Sequence, residues 1–363
     1  MIATLIVNCI AVVLALLAMD HRLRYLLNFA FLIFAVFLGI RYMWGNDMPG
    51  YYRMYVEFNA GSGDIFDLES IDYRGGKEYG WIILNILCKP IGFLGLQIVL
   101  SIFQNYVVYS FIKRNVNPRW YWFATFLYCF GANYMVLSAS MMRQSLAMMI
   151  FLYACPYIAK KKIIPSVLLV LLAASMHQSA FILLPFCFLG YLKANWGNKD
   201  LVWIGVFMLV WMLFANSLLT GVINKFILSD TFANFDVYMN ETNYIAGITN
   251  LFYVAINFLL LVHLKNVYRP EYKVIIILCF IAILFFFLMQ LSTMIIRLSY
   301  YFSLFSIAGY PILMQCWKFN KYIKSCLILT ILALNLREFW LFFYSDIWNS
   351  AYFDYQTIFQ FQY

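Results

Sequence analysis

The chain has 363 residues, of which 65% are hydrophobic and 11% are charged, and its formal net charge is +9. A soluble domain is nearer 25% charged, so this composition excludes an ordinary soluble protein. We predict an all-α polytopic membrane protein without a soluble domain, because the apolar runs are continuous over about 20 residues, as helical spans require. The positive charge is spread over short loops and does not indicate a nucleic-acid partner.

About twelve apolar runs are predicted to cross the membrane. In chain order they are 2–19, 25–43, 93–112, 120–137, 140–159, 163–176, 178–192, 201–220, 246–264, 274–290, 297–316 and 325–344. A further apolar piece, 79–92, is too short to cross, and we expect a re-entrant or interfacial helix there. The adjacent runs 163–176 and 178–192 are also short, and a hairpin that turns at His177 fits them better than two full crossings.

The positions of lysine and arginine predict the orientation of the chain. Sixteen of the 25 basic residues lie in six short loops, which are 20–24, 113–119, 160–162, 193–200, 265–273 and 317–324. These loops alternate with the spans so that all six can face the cytoplasm together, as the positive-inside rule favours. The longer segments 44–78 and 221–245 are then extracytoplasmic loops of a single integral membrane domain, 1–363.

Four arginines lie within or at the end of predicted spans, where a charge is costly, rare and usually functional. They are Arg41, Arg143, Arg297 and Arg337. With a helical rise of about 1.5 Å per residue, each lies roughly 20–30 Å from the cytoplasmic face, in the outer third of the membrane. A cluster of guanidinium groups suits a pyrophosphate, since each can donate two parallel hydrogen bonds. For any one arginine, snorkelling to water or pairing with an acid is an equally good interpretation.

Gln144 and Glu338 directly follow two of these arginines and help to decide between ligand binding and pairing with an acid. Gln144 follows Arg143 within the apolar stretch 138–150 and is a further candidate for binding the same ligand. Glu338 follows Arg337, but adjacent residues do not face each other on a helix, so we expect no pair between them.

His177 is the candidate general base. It lies at a depth of roughly 22 Å, similar to that of the arginines. As a neutral imidazole it can take a proton from an attacking sugar hydroxyl. Asp47 and Glu78 are rival bases. The structural alternative is a hydrogen-bonded core histidine, which is the more common role of a single histidine in an apolar span.

A pyrophosphate at the outer face suggests a lipid-linked glycan, and the outer segment 44–78 carries candidate sugar contacts. These are Tyr51, Tyr52, Tyr55, Asp47 and Glu57. Aromatic rings stack on sugar faces and carboxylates accept hydroxyl hydrogen bonds, although an interfacial aromatic belt explains most of the tyrosines equally well. We expect no metal and no cofactor, because the sequence contains no DxD, GxxxxGK[ST], HExxH or GxSxG motif.

The order and spacing of these residues resemble the EpsG family of bacterial membrane proteins, which includes Wzy-like oligosaccharide repeat-unit polymerases. The resemblance covers about 25–310 and rests on Arg41, Gly45–Asn46–Asp47, Tyr51–Tyr52, Tyr55, Glu78–Tyr79–Gly80, Asn85, Arg143–Gln144, Leu146–Ala147, Ala174, His177, Ser179–Ala180, Pro185, Arg297 and Tyr300–Tyr301–Phe302. Family members often have Glu-Pro-Gly where this chain has Glu78–Tyr79–Gly80.

The resemblance implies a glycosyltransferase that polymerises undecaprenyl-pyrophosphate-linked repeat units at the outer face of the bacterial inner (plasma) membrane. The product is a capsule, an O-antigen or an exopolysaccharide. Arg143, Arg297, Arg41 and Arg337 would bind the donor pyrophosphate, and Gln144, Tyr51, Tyr55, Glu78 and Tyr301 are further substrate-binding candidates. His177 or Asp47 would be the catalytic base. The expected partners are the lipid-linked oligosaccharide and membrane lipids, with a chain-length regulator or a flippase as candidate protein partner.

Two alternative functions remain at this point. A flippase for the same lipid-linked units would also place arginines in a cavity, but along a path to both faces instead of at one depth. A membrane acyltransferase with His177 as base would decorate the polymer and leave its length intact.

Overall fold

The structure is a computed structural model of the chain. It describes residues 1–60, 78–131, 134–192, 197, 199–211, 214, 248–267, 269–286, 293–317, 320–346 and 348–360. Within these ranges the regular structure is helical, and the only β pairing is one bridge between Arg41 and Thr357, which confirms the all-α class. The predicted loop 221–245, and residues 61–77 of the other predicted loop, lie outside the described residues.

The chain forms two compact units, one from 1–189 with 319–363 and the other from 190–318. The first contains α1 Ile2–Leu17, α2 Leu26–Gly39, α3 Met48–Ala60, α4 Tyr79–Leu87, α5 Gly92–Asn115, α6 Tyr121–Phe130, α7 Met135–Ser138, α8 Met142–Ala159, α9 Ile163–Met176, most of a 3₁₀ segment at Gln178–Tyr191, a C-terminal helix at Lys321–Tyr344 and a short helix at Asn349–Tyr352. The second contains helical residues 199–211 and the helices Ile248–Val262, Pro270–Phe286, Thr293–Ser303 and Ser306–Cys316. The prediction of a single membrane domain stays a prediction.

Three helical stretches of the described chain are long and apolar enough to cross a membrane: His21–Gly39, Lys89–Asn115 and Lys321–Tyr344. Shorter apolar helices lie at Ile2–Leu17, Ile163–Met176, Gln178–Tyr191 and Leu251–Val262. The predicted count of about twelve spans is not confirmed.

Several predicted runs have different boundaries in the structure. The run 120–137 contains α6 and the separate short helix α7, because α6 ends before Gly131, whose backbone is extended. The run 297–316 is divided between two helices, Thr293–Ser303 and Ser306–Cys316. The piece 79–92 begins with α4, which has nine residues and is too short to span a bilayer, as the sequence indicated.

Polar side chains of α5 hold the end of α2. The Gln97 Nε2 donates to the backbone oxygens of Gly39 at 2.9 Å and Arg41 at 2.8 Å. One turn further along α5, the Ser101 hydroxyl donates to Ala35 O at 2.8 Å. Carbonyls at a helix end need donors, and few are available in an apolar environment. These bonds therefore fix the residues that follow α2.

Residues 348–360, here called the C-terminal segment, pack on the same end of α2. The backbone N–H of Tyr42 donates to Gln356 O at 2.9 Å. The indole N–H of Trp44, a residue that is 1% exposed, donates to Tyr352 O at 3.0 Å. The C-terminal segment therefore supports the backbone that leads from α2 into α3.

Candidate functional site

A buried carboxylate, that of Glu78, joins two of the predicted site residues. Its Oε2 lies 2.5 Å from Arg143 Nη1, and its Oε1 lies 2.7 Å from His177 Nδ1. Oε1 also accepts the backbone N–H of Gln178 at 3.0 Å. Glu78 is 1% exposed, and a buried charge is stable only when it is paired and hydrogen-bonded. Glu78, Arg143 and His177 are called the Glu78 triad below.

The helices α8 and α9 bring Arg143 and His177 to the same end of the first unit. Arg143 lies in the first turn of α8, and His177 directly follows α9. Only the three lysines 160–162 separate the two helices, which pack against each other. A connection this short makes the helices antiparallel neighbours, so the start of α8 lies beside the end of α9.

Gly80 lets α4 carry Glu78 into this position. A Cβ built on Gly80 would lie 2.3 Å from Ser175 Oγ, 2.9 Å from Ser175 Cβ and 3.0 Å from Met176 Cε. No real side chain tolerates the first two distances, so α4 approaches α9 this closely only with glycine at position 80. The Glu78–Tyr79–Gly80 sequence therefore supplies the carboxylate and also the glycine that lets α4 approach α9.

The ionisation of Glu78 follows from its contacts. Burial raises the pKa of Glu78, but the hydrogen bond from His177 and the charge of Arg143 outweigh it, and the net effect lowers this pKa from its ordinary 4.5. Glu78 is therefore ionised at neutral pH and can only accept hydrogen bonds. The His177 Nδ1 must then donate to it, so the acceptor nitrogen in the neutral form of this imidazole is Nε2.

Tyr51 lies against Arg143. The Cζ of Arg143 is 5.8 Å from the centre of the Tyr51 ring, within the range of a cation–π contact. The backbone N–H of Arg143 points at the Tyr51 hydroxyl, with the two atoms 3.5 Å apart. Tyr51 is 5% exposed and packs its ring edge-on against Trp81, 5.6 Å between centres. Tyr51 therefore restrains Arg143 from the side of α3.

The Gly45–Asn46–Asp47 turn is fixed to the residues just before α8. Gly45 has φ +122°, and a Cβ there would lie 3.2 Å from both Cα and Cβ of Ser140. The positive φ favours glycine, and the close approach to Ser140 leaves little room for a Cβ. The backbone N–H of Asp47 donates to Ser140 Oγ at 3.0 Å, whereas the Asp47 side chain is exposed. The turn therefore presents the carboxylate of Asp47 at the surface near the triad.

Arg41 is buried in a different environment. It is 4% exposed, and its Nη1 donates to Leu38 O. Its Nη2 donates to Ala139 O at 3.2 Å and lies 3.7 Å from Met48 Sδ. These contacts tie the end of α2 to the backbone before α8, which is the environment of a structural arginine. The structure does not bring Arg41 onto the triad carboxylate.

Arg337 and Arg297 are the two remaining predicted ligands of the pyrophosphate. Arg337 is exposed on the C-terminal helix, and its Nη1 lies 2.8 Å from Glu338 Oε1. The expectation that these neighbours would not pair was wrong, because long side chains on an exposed surface can reach along it. In the second unit, Arg297 is exposed on Thr293–Ser303 and Tyr301 is 1% exposed.

Two other predicted substrate contacts are buried. Gln144 is 3% exposed within α8. Tyr55 is 9% exposed, and its hydroxyl lies 3.4 Å from the backbone oxygens of both Cys88 and Lys89, which connects α3 to the end of α4. Among the described residues, no group of three His, Cys, Asp or Glu side chains is arranged to hold a metal ion.

Sequence reasoning missed the link that Glu78 makes. Glu78 was expected as a substrate-binding residue or a rival base, yet it carries the bonds to Arg143 and His177. A signal was available: an acid begins a short apolar run on the same predicted face as the arginine and the histidine. The packing of the C-terminal segment against the end of α2 was also missed. Its aromatic residues gave no sequence signal for this contact.

The fold and the site define a helical membrane protein with an ionised cluster at one end of its first unit. A model of the EpsG family matches residues 24–357, nearly the whole chain. The chain belongs to the EpsG family, and EpsG-like proteins are Wzy-type polymerases. No curated protein and no solved structure matches the chain. The family match runs past 310, where the resemblance read from the sequence ended, and includes most of the C-terminal segment.

Proposed function

We propose that this protein is a polysaccharide polymerase acting at the outer face of the bacterial plasma membrane. It transfers the growing glycan from undecaprenyl pyrophosphate to a hydroxyl of an incoming lipid-linked repeat unit. The observation that carries the proposal is the Glu78 triad, in which one buried carboxylate orients a base and a cation together.

His177 is the proposed base for the acceptor hydroxyl. About 24% of its side chain is exposed, so a ligand can reach it. With Nδ1 bound to Glu78, Nε2 is the atom that accepts the proton. The ionised Glu78 then stabilises the imidazolium that forms, as a carboxylate does in other base–orienter pairs. Glu78 is therefore a positioning residue.

Arg143 is the proposed ligand for the donor pyrophosphate. It lies in the first turn of an 18-residue helix, where the backbone N–H groups and the helix dipole favour an anion. About 18% of its side chain is exposed. As the acceptor oxygen bonds to the anomeric carbon, the carbon–oxygen bond to pyrophosphate breaks. Negative charge then develops on the leaving phosphate, which the guanidinium and helix terminus stabilise.

The test is polymer synthesis by purified protein with lipid-linked repeat units, comparing His177→Ala, Arg143→Ala and Arg143→Lys. We expect each to abolish long chains or reduce their formation by roughly 10²-fold or more, in line with the loss of a general base or a charge-stabilising donor. Arg53→Ala is the matched control, because Arg53 is exposed on α3. Unchanged long chains in both alanine variants of the triad would remove this site from the mechanism.

The same variants in cells separate the alternatives. Loss of a polymerase leaves single repeat units at the surface, loss of a flippase leaves none, and loss of an acyltransferase leaves chain length unchanged. Asp47→Asn tests the rival base, since the Asp47 carboxylate is exposed. Arg297→Ala and Arg337→Ala test the pyrophosphate contacts predicted from sequence, one at a time.

A further inference from the structure

A second site lies at the opposite end of α8 from the Glu78 triad. A cavity of about 180 Å³ opens between α5 and α8. Its lining residues are Val107, Ser110, Phe111, Arg114, Asn115, Leu152, Tyr153, Pro156, Tyr157, Lys160 and Lys162. Arg143 is in the first turn of α8 and Lys160 follows its last residue, so a rise of about 1.5 Å per residue separates them by roughly 25 Å. The cavity is therefore distinct from the triad.

The charged residues around this cavity have one sign. Arg114, Lys160 and Lys162 line it with exposed side chains, and none of the eleven lining residues is acidic. They come from separate places, since Arg114 is in the last turn of α5 and the lysines follow α8. Three cations that converge on one cavity without a lining acid favour an anionic ligand.

The rest of the cavity is amphipathic. Two phenols, Tyr153 and Tyr157, lie one turn apart on α8 with ring centres 6.1 Å from each other. Phe111 and Leu152 contribute buried apolar surface. A ligand that fills this cavity has a charged part for the lysines and arginine and an apolar part for the helix walls. A phosphate on an acyl-chain lipid has both parts.

We propose that this cavity binds a phosphate group, carried by an anionic phospholipid of the membrane. Lysine and arginine side chains bind phosphate by charge-assisted hydrogen bonds, and basic pockets between membrane helices hold anionic lipid headgroups. The apolar walls favour a lipid over free phosphate, which shares the same headgroup chemistry. One helix of the pair, α5, lies in the stretch Lys89–Asn115, which is long and apolar enough to span a bilayer.

The test measures lipid binding to delipidated, detergent-solubilised protein by native mass spectrometry. The probe is phosphatidylglycerol, with zwitterionic phosphatidylcholine as the reference lipid and inorganic phosphate as the soluble ligand. The test variant is Lys160→Gln with Lys162→Gln. The matched control is Lys161→Gln with Lys113→Gln, which removes the same charge from two nearby lysines that do not line the cavity. Retention of polymerase activity is irrelevant to this readout, so the proposed function and this proposal can fail separately.

We expect phosphatidylglycerol to bind at least tenfold more tightly than phosphatidylcholine. The test variant should lose tenfold or more of that affinity, and the matched control less than twofold. Equal losses in both variants would show only general surface charge and would overturn the proposal, as would equal binding of the two lipids. If inorganic phosphate bound tightly, displaced phosphatidylglycerol and lost its affinity only in the test variant, the phosphate site would stand. The ligand would then be soluble, and its assignment to a phospholipid would be overturned.

Discussion

The Oε1 of Glu78 lies 2.7 Å from the Nδ1 of His177, although 99 positions separate the two residues. The other carboxylate oxygen binds Arg143, so a single acid orients both groups that the proposed chemistry uses. A base and a cation fixed to one carboxylate keep a constant separation, which favours a reaction that needs both at once. This arrangement leads to the first two predictions.

Glu78→Gln should impair polymer formation without removing the base. The amide keeps the shape of the side chain but loses its charge, so it cannot orient His177 and Arg143 together. We expect roughly a 10-fold or greater loss, which is smaller than the roughly 10²–10⁴-fold loss expected for removing the base itself. Polymer yield from purified protein is the measurement, and Glu57→Gln, at an exposed position on α3, is the control. Wild-type yield from Glu78→Gln would contradict the positioning role.

Acid should destabilise the wild-type protein through Glu78. The pKa of Glu78 is lowered in the folded state, so its contribution to stability is present above its ordinary pKa of 4.5 and is lost as pH falls through the lower folded value. Melting temperature in detergent, followed from pH 7 to pH 3, should fall more steeply below pH 4.5 in the wild type than in Glu78→Gln. If melting temperature fell equally with pH in the two proteins, ionisation of Glu78 would not contribute to stability.

Gly80→Ala should separate α4 from α9. The new methyl carbon would lie only 2.9 Å from the Cβ of Ser175, and this overlap should cost roughly 1–3 kcal/mol for overpacking. Since Glu78 is two residues away, polymer yield should fall together with melting temperature.

Ser175→Gly in the same chain removes the overlapping atoms, although a glycine near the end of a helix costs up to about 1 kcal/mol. Polymer yield in the double variant should exceed that of Gly80→Ala alone. A double variant no better than the single one would refute the steric explanation.

Tyr355→Ala should weaken the attachment of the C-terminal segment. The Tyr355 ring stacks on Phe37 with centres 4.1 Å apart, and its hydroxyl donates to Phe37 O at 2.5 Å. Losing the ring pair and the hydrogen bond should cost roughly 1–3 kcal/mol, seen as a lower melting temperature. Phe359→Ala, at a position that is 79% exposed in the same segment, should have little effect. Equal melting temperatures for the two variants would argue against a supporting role for this contact.

Apolar run length predicted most helices of the first unit closely. The run 163–176 coincides with α9, and the run 140–159 differs from α8 by two residues at its start. Continuous apolar runs need backbone hydrogen bonds within the segment, and in a membrane only a helix provides them. The same reasoning could not see that Gly131 ends α6 early, since glycine is common within membrane helices.

The candidate site could be predicted in part. Counting residues along the predicted helices placed Arg143 and His177 at a similar level, and the structure has both at one end of the α8–α9 pair. The depth of a residue does not show on which face of its helix the residue lies. That face determines which groups the side chain contacts. For that reason Arg41, for which a similar depth was predicted, is buried against carbonyls, and Arg337 is exposed beside Glu338.

The bridge between Arg41 and Thr357 has a consequence for biosynthesis. The ribosome must add more than 300 residues after Arg41 before Thr357 exists to pair with it, which takes roughly 15–60 s at ordinary elongation rates. During that time the turn after α2 waits in the translocating chain without its final support. The backbone between α2 and α3 can therefore reach its final arrangement only after nearly the whole chain has been synthesised.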